Sequence, residues 1–277
     1  MKGITRVISF TSGKGGVGKT SSVVSTAIAL AREGKSVLLL DADLGLANID
    51  VMLGVTPRAT IHDVLRGEKT LEEVMINGPE GISIIPAASG VESICNLDSE
   101  QQLTLMRAIE EVAYQFDYLL IDTAAGIGTD VMFFNSASRE IVCVVNPEPT
   151  SLTDAYALIK VLSTQYGEKS VSVLVNNVRA NSMPAEREAQ MVFNRLSTAV
   201  ERFLHIELKY LGFVPSDPSL IEAIRSQRAL MELYPSSPSG LAFASLARKI
   251  DAEFHELRVK GGMQFFFQQL LEMSSHG

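Results

Sequence analysis

The chain has 277 residues, 46% of them hydrophobic, and its 24 Lys and Arg residues against 32 Asp and Glu residues give a net charge of −8. This length suits one large α/β domain with a buried sheet, although two domains would also fit it. The acidic balance argues against direct DNA binding, and the absence of an apolar run of 18 residues argues against a transmembrane helix. The first strand is expected within a few residues of Met1, so no signal peptide is predicted.

Strand-like and helix-like segments alternate along the chain without an internal repeat. Several strand candidates are nearly continuous apolar runs, such as Val37–Leu40, which fits parallel strands covered on both faces. The predicted strands are residues 6–11, 36–41, 81–86, 117–122, 140–146, 170–177 and 208–214, and the predicted helices include 99–115, 151–166, 185–203 and 240–256. We therefore predict an α/β fold with a mostly parallel twisted sheet and helices on both faces, in a domain of residues 1–257.

Residues 13–20 read Gly-Lys-Gly-Gly-Val-Gly-Lys-Thr, the phosphate-loop pattern GxxxxGK[ST], between a predicted strand and an apolar-periodic segment. Glycines let backbone amides turn toward an anion, and the following helix N-terminus favours negative charge. Lys19 can reach the β- and γ-phosphates, and the Thr20 hydroxyl can ligate Mg²⁺. A glycine-rich turn without a ligand is the competing interpretation, which these flanks disfavour. The predicted nucleotide-binding residues here are Gly13, Lys14, Gly15, Gly16, Val17, Gly18, Lys19, Thr20 and Ser21.

Carboxylates follow two of the predicted strands. Asp41 and Asp43 end one strand and point to the same side, because side chains of an extended segment alternate. Asp122 follows an apolar strand in a Walker B arrangement and can hold Mg²⁺ through a water. We predict that Thr20 binds the metal directly and that Asp122 binds it through water. The competing interpretation is that these aspartates cap the turns that follow them.

The segment KGGVGKT at residues 14–20 matches the deviant Walker A motif, and by it the chain resembles the MinD/ParA superfamily of ATPases. In that superfamily the early lysine, here Lys14, crosses a dimer interface to the nucleotide of the partner subunit. The resemblance therefore implies a homodimer formed with ATP, in which Asp43 positions the attacking water while Lys14 and Lys19 complete the catalytic set. It also implies that Asp41 supports the phosphate loop and holds the metal through water. A solvated loop charge is the competing interpretation of Lys14.

The ends of two later strands predict the pocket for the nucleotide base. GTPase pockets carry Asn-Lys-x-Asp, and this chain has no Asn-Lys dipeptide, so ATP is favoured over GTP. Asn176 stands where ATPases of the superfamily contact adenine, and Pro215 and Asp217 would form the other wall. Asn177 fits a turn residue equally well.

Four segments are similar to the flagellar-number regulators of the FlhG/FleN branch: residues 41–54, 86–90, 122–128 and 148–160. This resemblance, which extends from Val7 to about Leu271, implies regulation of flagellar number and placement. It implies as partners a flagellar transcription activator, basal-body or switch proteins and a signal-recognition-type GTPase. A division-site regulator is the first alternative. A DNA-partitioning ATPase ranks lower because of the acidic balance and the amphipathic end of the chain. An iron–sulfur reductase of the nitrogenase iron-protein type also ranks lower, because no Cys follows Asp122 in the Walker B loop. Only Cys95 and Cys143 are present, and Cys143 is expected to be a buried thiol.

The end of the chain has an amphipathic pattern. After Gly261 and Gly262, apolar residues recur at helical spacing, with Gln and Glu mostly opposite. We predict an amphipathic helix in residues 258–277, which resembles the membrane-targeting helix of the superfamily. The expected location is therefore the bacterial cytoplasm, at the inner face of the cell membrane, with a polar position as one option. A helix docked on the core is the competing interpretation.

Overall fold

The computed structural model describes residues 5–44, 48–87, 98–179 and 183–256. The strands in these residues are β1 (Arg6–Ser12), β2 (Val37–Ala42), β3 (Ile76–Asn77), β4 (Ser83–Ile85), β5 (Tyr118–Ala125), β6 (Glu140–Val145), β7 (Ser170–Val178) and β8 (Glu207–Pro215). They form one sheet in the order β3-β4-β2-β5-β1-β6-β7-β8. Only the β3–β4 pair is antiparallel within this described sheet.

The helices are α1 (Lys19–Arg32), α2 (Ile49–Leu53), α3 (Ile61–Leu65), α4 (Leu71–Val74), α5 (Ser99–Ala113), α6 (Thr129–Ser136), α7 (Pro149–Gln165), α8 (Ala185–Phe203), α9 (Pro218–Arg225), α10 (Leu230–Leu233) and α11 (Pro238–Glu256). Side chains of β2 show that helices cover both faces of the sheet. Leu39 packs in a core with residues of α1 and α11, whereas Leu38 and Leu40 pack with residues of α5. The predicted fold class is therefore confirmed.

The sequence predicts the long elements well and the short ones poorly. The helix predicted at 185–203 has those bounds in the structure, and α7 begins earlier than predicted because Pro149 occupies its first turn. The two-residue strand β3 and several helices of eight residues or fewer were not predicted, because so few residues carry no readable period. The predicted boundary at residue 257 and the helix after it lie outside the described residues.

The parallel strands place their carboxyl ends at one edge of the sheet. β1 lies between β5 and β6. The chain continues from β1 to β2 on one side of β1, and from β5 to β6 on the other side, so the direction of the connections reverses at β1. Ligands of open α/β sheets bind in the crevice at such a switch point, outside the carboxyl ends of the strands. Ser12, at the end of β1, leads directly into the glycine-rich loop at this crevice.

Two further observations concern membranes and thiols. No helix in the described ranges is long and apolar enough to cross a membrane. Cys143 lies buried in β6, as predicted, and burial raises the pKa of its thiol to about 12.

Candidate nucleotide-binding site

The loop between β1 and α1 depends on glycine at particular positions. Gly16 and Gly18 have φ angles of 78° and 87°, a left-handed conformation that L side chains rarely adopt. A Cβ atom at Gly13 would lie 2.2 Å from the backbone of Asp154, and one at Gly18 would lie 2.2 Å from Nδ2 of Asn176. Gly18 also caps α1 without a side-chain acceptor, so the helix N-terminus remains available to an anion.

Lys19 and Asp122 form a buried ion pair beneath this loop. The Nζ atom of Lys19 lies 2.6 Å from Oδ1 of Asp122, and the two side chains are 8% and 0% exposed. The other carboxylate oxygen of Asp122, Oδ2, is buried and has no hydrogen-bond partner among the described residues. A buried oxygen of this kind is a ready acceptor for a bound ligand.

Asp41 lies beside this pair, because it is opposite Asp122 in the β2–β5 register. Its carboxylate accepts backbone N–H groups of Asp43, Asn48 and Ile49 at 3.2, 3.0 and 3.1 Å. Burial, and then the charge of Asp122, raise the pKa of Asp41 to about 7, although the three N–H groups act in the opposite direction. Asp41 therefore anchors the start of α2, as the capping interpretation states, and also lies where the predicted metal site would be.

Asp43 lies just beyond the end of β2 and is half-buried. The side-chain amide of Asn48 donates to its Oδ2 atom at 3.3 Å. Asp43 is thus more open to solvent than Asp41, which suits a group that orients water rather than one that holds a strand in place.

Lys14 points along the rim of the loop and not into it. Its ammonium group lies 2.8 Å from Oε2 of Glu148 and 3.0 Å from Oγ1 of Thr150, and its side chain is 38% exposed. The hydrogen bond and the charge of Lys14 lower the pKa of Glu148. Lys14 is therefore held by partners of its own chain and does not stand free in solvent.

Sequence reasoning gave Glu148 and Thr150 no role at this site. They lie at the start of α7, more than 130 residues after Lys14, and the pairing of β1 with β6 brings them to the loop. The proline between them indicates the start of a helix, but it does not indicate which loop that helix start contacts.

The predicted base-contacting residues occupy different environments. Asn176 is buried, and its Nδ2 atom donates to the backbone oxygen of Val17 at 2.8 Å while its Oδ1 atom has no partner among the described residues. Asn177 is exposed with a φ of 56°, as in a turn. Pro215 ends β8 opposite Val178.

Asp217 joins two helices. It accepts the backbone N–H of Ser219 at 2.9 Å, and its second oxygen accepts the N–H and the hydroxyl of Ser239 at 2.9 and 2.6 Å. Burial alone would raise the pKa of Asp217, but these hydrogen bonds outweigh it and lower the pKa. Because both oxygens are engaged, Asp217 would shape a base pocket through the position of its backbone.

The structure thus brings the loop residues 13–21, Asp41, Asp43 and Asp122 to one edge of the sheet, with Asn176 against the loop from the other side. Thr20 is half-buried and Ser21 is buried, both in the first turn of α1. Amide groups and a helix N-terminus can bind a polyphosphate, and the two buried carboxylates can balance a cation next to it.

Comparisons with known proteins agree with this arrangement. The family model described as ParA, NUBPL iron-transfer P-loop NTPase, matches residues 3–251. The chain is 43% identical over 272 residues to the antiactivator FleN of Pseudomonas aeruginosa. This alignment covers 98% of this chain and 95% of that protein. The chain is 33% identical over 276 residues to the flagellum site-determining protein YlxH of Helicobacter pylori, covering 98% and 91%. The septum site-determining protein MinD of Pyrococcus horikoshii, solved with Mg-ADP, has a TM-score of 0.73 and 28% identity, covering 93% of this chain and 100% of that chain. These similarities confirm the predicted superfamily and the predicted FlhG/FleN branch.

Proposed function

This chain belongs to the ParA/MinD family of P-loop NTPases, and on that premise we propose that it is an ATP-dependent dimerisation switch that regulates flagellar number and placement. One observation carries the proposal: the loop has two lysines in different environments. Lys19 lies buried against Asp122, whereas Lys14 lies at the rim, where a second subunit can approach it. A lysine at the rim is not needed for a nucleotide bound by one subunit alone.

The reaction is the hydrolysis of ATP to ADP and phosphate. The loop amides and Lys19 hold the β- and γ-phosphates, and Asp43 orients the attacking water toward the γ-phosphorus. Phosphoryl transfer depends on positioning and charge neutralisation more than on a strong base, so a half-exposed aspartate suffices. Lys14 adds positive charge at the phosphates of the partner subunit's ATP, which makes hydrolysis depend on the dimer.

The described residues fit a magnesium ion. Oδ2 of Asp122 is buried without a partner among them, Asp41 is its neighbour across the strand pair, and Thr20 supplies a hydroxyl. Oxygen atoms of this kind are the ligands that Mg²⁺ prefers. Thr20 would bind the ion directly, and Asp41 and Asp122 through water. When bound, the ion neutralises charge on the phosphates.

The base pocket supports ATP over GTP. Nδ2 of Asn176 donates to the backbone oxygen of Val17, and the acceptor oxygen Oδ1 is buried without a partner among the described residues, so Oδ1 is the atom left to pair with a base. An acceptor matches the 6-amino group of adenine and repels the 6-oxo group of guanine.

An iron–sulfur reductase gains no support from the thiols. Cys143 lies buried in β6, and burial raises the pKa of its thiol to about 12, so it is poorly disposed to bind a cluster as a thiolate. Cys95 lies outside the described residues.

The membrane contact is proposed for residues 258–277, whose apolar face is formed by Met263, Phe266, Phe267, Leu270 and Leu271 and widened by Phe265. The described chain ends on α11, near the edge of the sheet opposite the nucleotide site. Arg6 donates to the backbone oxygen of Ile250, and the Tyr118 hydroxyl donates to Asp251 at 2.8 Å, which fixes α11 to the first residues of β1 and β5. The dimer would present two such tails, and the paired attachment would strengthen lipid binding.

The flagellar role is tested in the native host. A deletion strain should carry more flagella per cell in electron micrographs, and the wild-type gene should restore the number where Lys14→Ala does not. A pull-down with an Asp43→Ala trap should recover a flagellar transcription activator or basal-body proteins. Normal flagella together with misplaced division septa would assign the chain to the alternative function, a division-site regulator.

A further inference from the structure

The C-terminal end of α2 is held by the loop between α9 and α10. The side chain of Gln227, an exposed residue of this loop, donates from Nε2 to the backbone oxygen of Val51 at 3.1 Å. The backbone of the same residue lies against Gly54, where a Cβ atom would be 3.0 Å from the backbone oxygen of Gln227. This contact therefore joins two segments that are far apart in the sequence.

Gln227 occupies a backbone position that glycine usually fills. Its N–H donates to the oxygen of Ile224 at 3.0 Å, and the N–H of Arg228 donates to the oxygen of Ala223 at 3.1 Å, which is a Schellman cap at the end of α9. Its φ is 52°, close to the 62° of Gly54 at the end of α2. An L side chain is strained in this left-handed conformation, and strain of this kind concentrates at functional sites. A glutamine at this position, in contrast to a glycine, supplies an amide that reaches Val51.

The opposite end of α2 is tied to the carboxylates of the candidate site. Asn48, the N-cap of α2, and Ile49 donate their backbone N–H groups to Oδ2 of Asp41 at 3.0 and 3.1 Å. The side-chain amide of Asn48 also donates to Oδ2 of Asp43 at 3.3 Å. Because α2 has only five residues, a displacement of its C-terminal end moves these donors as well. The position of Asp43 therefore depends on the contacts at both ends of α2.

The helix that ends at this contact begins at the candidate base pocket. Asp217 is the N-cap of α9, and its Oδ1 atom accepts the backbone N–H of Ser219 at 2.9 Å. Its other carboxylate oxygen accepts the N–H and the hydroxyl of Ser239 at 2.9 and 2.6 Å, which fixes the start of α9 to α11. A base bound against this segment would order the first turn of α9. The eight residues of α9 would transmit that change to Gln227.

We propose that Gln227 is a positioning residue that couples occupancy of the base pocket to the position of Asp43. The bound base orders α9, Gln227 then holds the end of α2, and α2 places the amide of Asn48 at Asp43. Hydrolysis is thereby favoured when the phosphates belong to a nucleotide and not to a free inorganic polyphosphate. The inference rests on the proposed function, because it uses the base pocket and the water-orienting role of Asp43.

Steady-state hydrolysis by the full chain tests the role of the amide. Gln227→Glu removes the donor and keeps the length of the side chain. It should lower kcat about threefold to tenfold, since one hydrogen bond is lost, and change KM for ATP by less than about twofold. Gln227→Lys, which keeps a donor, should restore most of the wild-type kcat. Gln190→Glu is the matched control, because the amide of Gln190 makes an exposed hydrogen bond of 3.0 Å to Oδ1 of Asn194 on α8.

Gln227→Gly separates positioning from folding. Glycine adopts the left-handed conformation without strain, so the melting temperature should stay close to that of wild type. The amide is nevertheless absent, so kcat should fall as it does in Gln227→Glu. A residue that acted only on stability would lower the melting temperature in the glutamate variant and leave kcat unchanged in the glycine variant.

Hydrogen–deuterium exchange measures the coupling without hydrolysis. The readout is the exchange rate of the backbone N–H groups of Asn48 and Ile49, which report on the start of α2. In wild type, ADP should slow their exchange more than pyrophosphate does, because only ADP carries a base. In Gln227→Glu the two ligands should have equal effects.

The outcomes separate this inference from the proposed function. If ADP does not change the exchange of wild type at all, the nucleotide site itself is wrong. If wild type and Gln227→Glu respond to ADP in the same way, or if Gln227→Gly turns over ATP at the wild-type rate, only the coupling is wrong. Loss of the ATP-dependent dimer in Gln227→Glu would also overturn the inference, because it would assign the residue to a contact between two copies of this chain.

Discussion

Lys19 and Asp122 are joined by a contact of 2.6 Å between Nζ and Oδ1, and both side chains are buried. Asp41, opposite Asp122 in the strand pair, adds a second buried carboxylate. One lysine therefore neutralises a cluster with two acidic groups. When Lys19 binds the phosphates of a nucleotide, Asp122 loses its positive partner. A cation bound next to Asp122 would replace that charge, so phosphate binding and cation binding are linked.

The ion pair predicts an unusual stability pattern. Lys19→Met should lower the free energy of unfolding by about 3–5 kcal/mol without nucleotide, because Asp122 would then be a buried charge without its partner. The double variant with Asp122→Asn should recover much of this loss, since it removes the charge as well. Urea unfolding measures both. Arg66→Ala, which breaks the exposed pair with Glu68, is the control and should change stability by under about 1 kcal/mol. A double variant no more stable than Lys19→Met would contradict the prediction.

Asp41 predicts a pH dependence of stability. Its pKa is raised from 3.8 to about 7, so the native chain retains a proton that the unfolded chain releases in that interval. The stabilisation is therefore complete below about pH 4 and is lost as the pH rises through 7. Without nucleotide and Mg²⁺, the melting temperature of wild type should fall more steeply between pH 4 and 7 than that of Asp41→Asn. Parallel curves for the two proteins would show that Asp41 does not titrate in this range.

Asp43 predicts a separation of assembly from turnover. Asp43→Ala should keep ATP binding and the ATP-dependent dimer, because the loop contacts remain, but should lose most of its phosphate release, because the water is no longer positioned. A coupled phosphate assay and light scattering measure the two properties. Asp50→Ala is the matched control, since Asp50 lies nearby and its carboxylate accepts only the backbone N–H of Val51 in the described contacts. Wild-type turnover in Asp43→Ala would reject the assignment.

The tail predicts lipid binding that depends on ATP. Wild type should sediment with liposomes only when ATP and Mg²⁺ are present, because one short helix with few cations binds lipid weakly and the dimer supplies two. Phe266→Glu with Phe267→Glu should abolish sedimentation and leave ATP binding and the melting temperature unchanged. Gln268→Glu with Gln269→Glu, on the polar side, is the control. If the phenylalanine variant melted well below wild type and wild type never bound lipid, the tail would be a core helix.

The sequence predicts that the inner residues of the candidate site lie together at one edge of the sheet, but it does not predict the contacts at the rim. The phosphate loop, Asp41 and Asp122 can be predicted because each is tied to a strand end or to a glycine pattern with a local physical cause. Glu148 and Thr150 could not be predicted, since their contact with Lys14 depends on which strands are neighbours. The double role of Asp41, as anchor of α2 and neighbour of Asp122, likewise requires the register of β2 and β5.

The central claim is that Lys14 leaves Glu148 and reaches the nucleotide of a second subunit. Sedimentation velocity of wild type and Lys14→Ala, with and without ATP and Mg²⁺, tests it most directly, with Lys69→Ala as a control at an exposed lysine. Wild type and Lys69→Ala should shift from monomer to dimer with ATP, while Lys14→Ala stays a monomer with an unchanged melting temperature. An equal dimer fraction in Lys14→Ala would contradict the account.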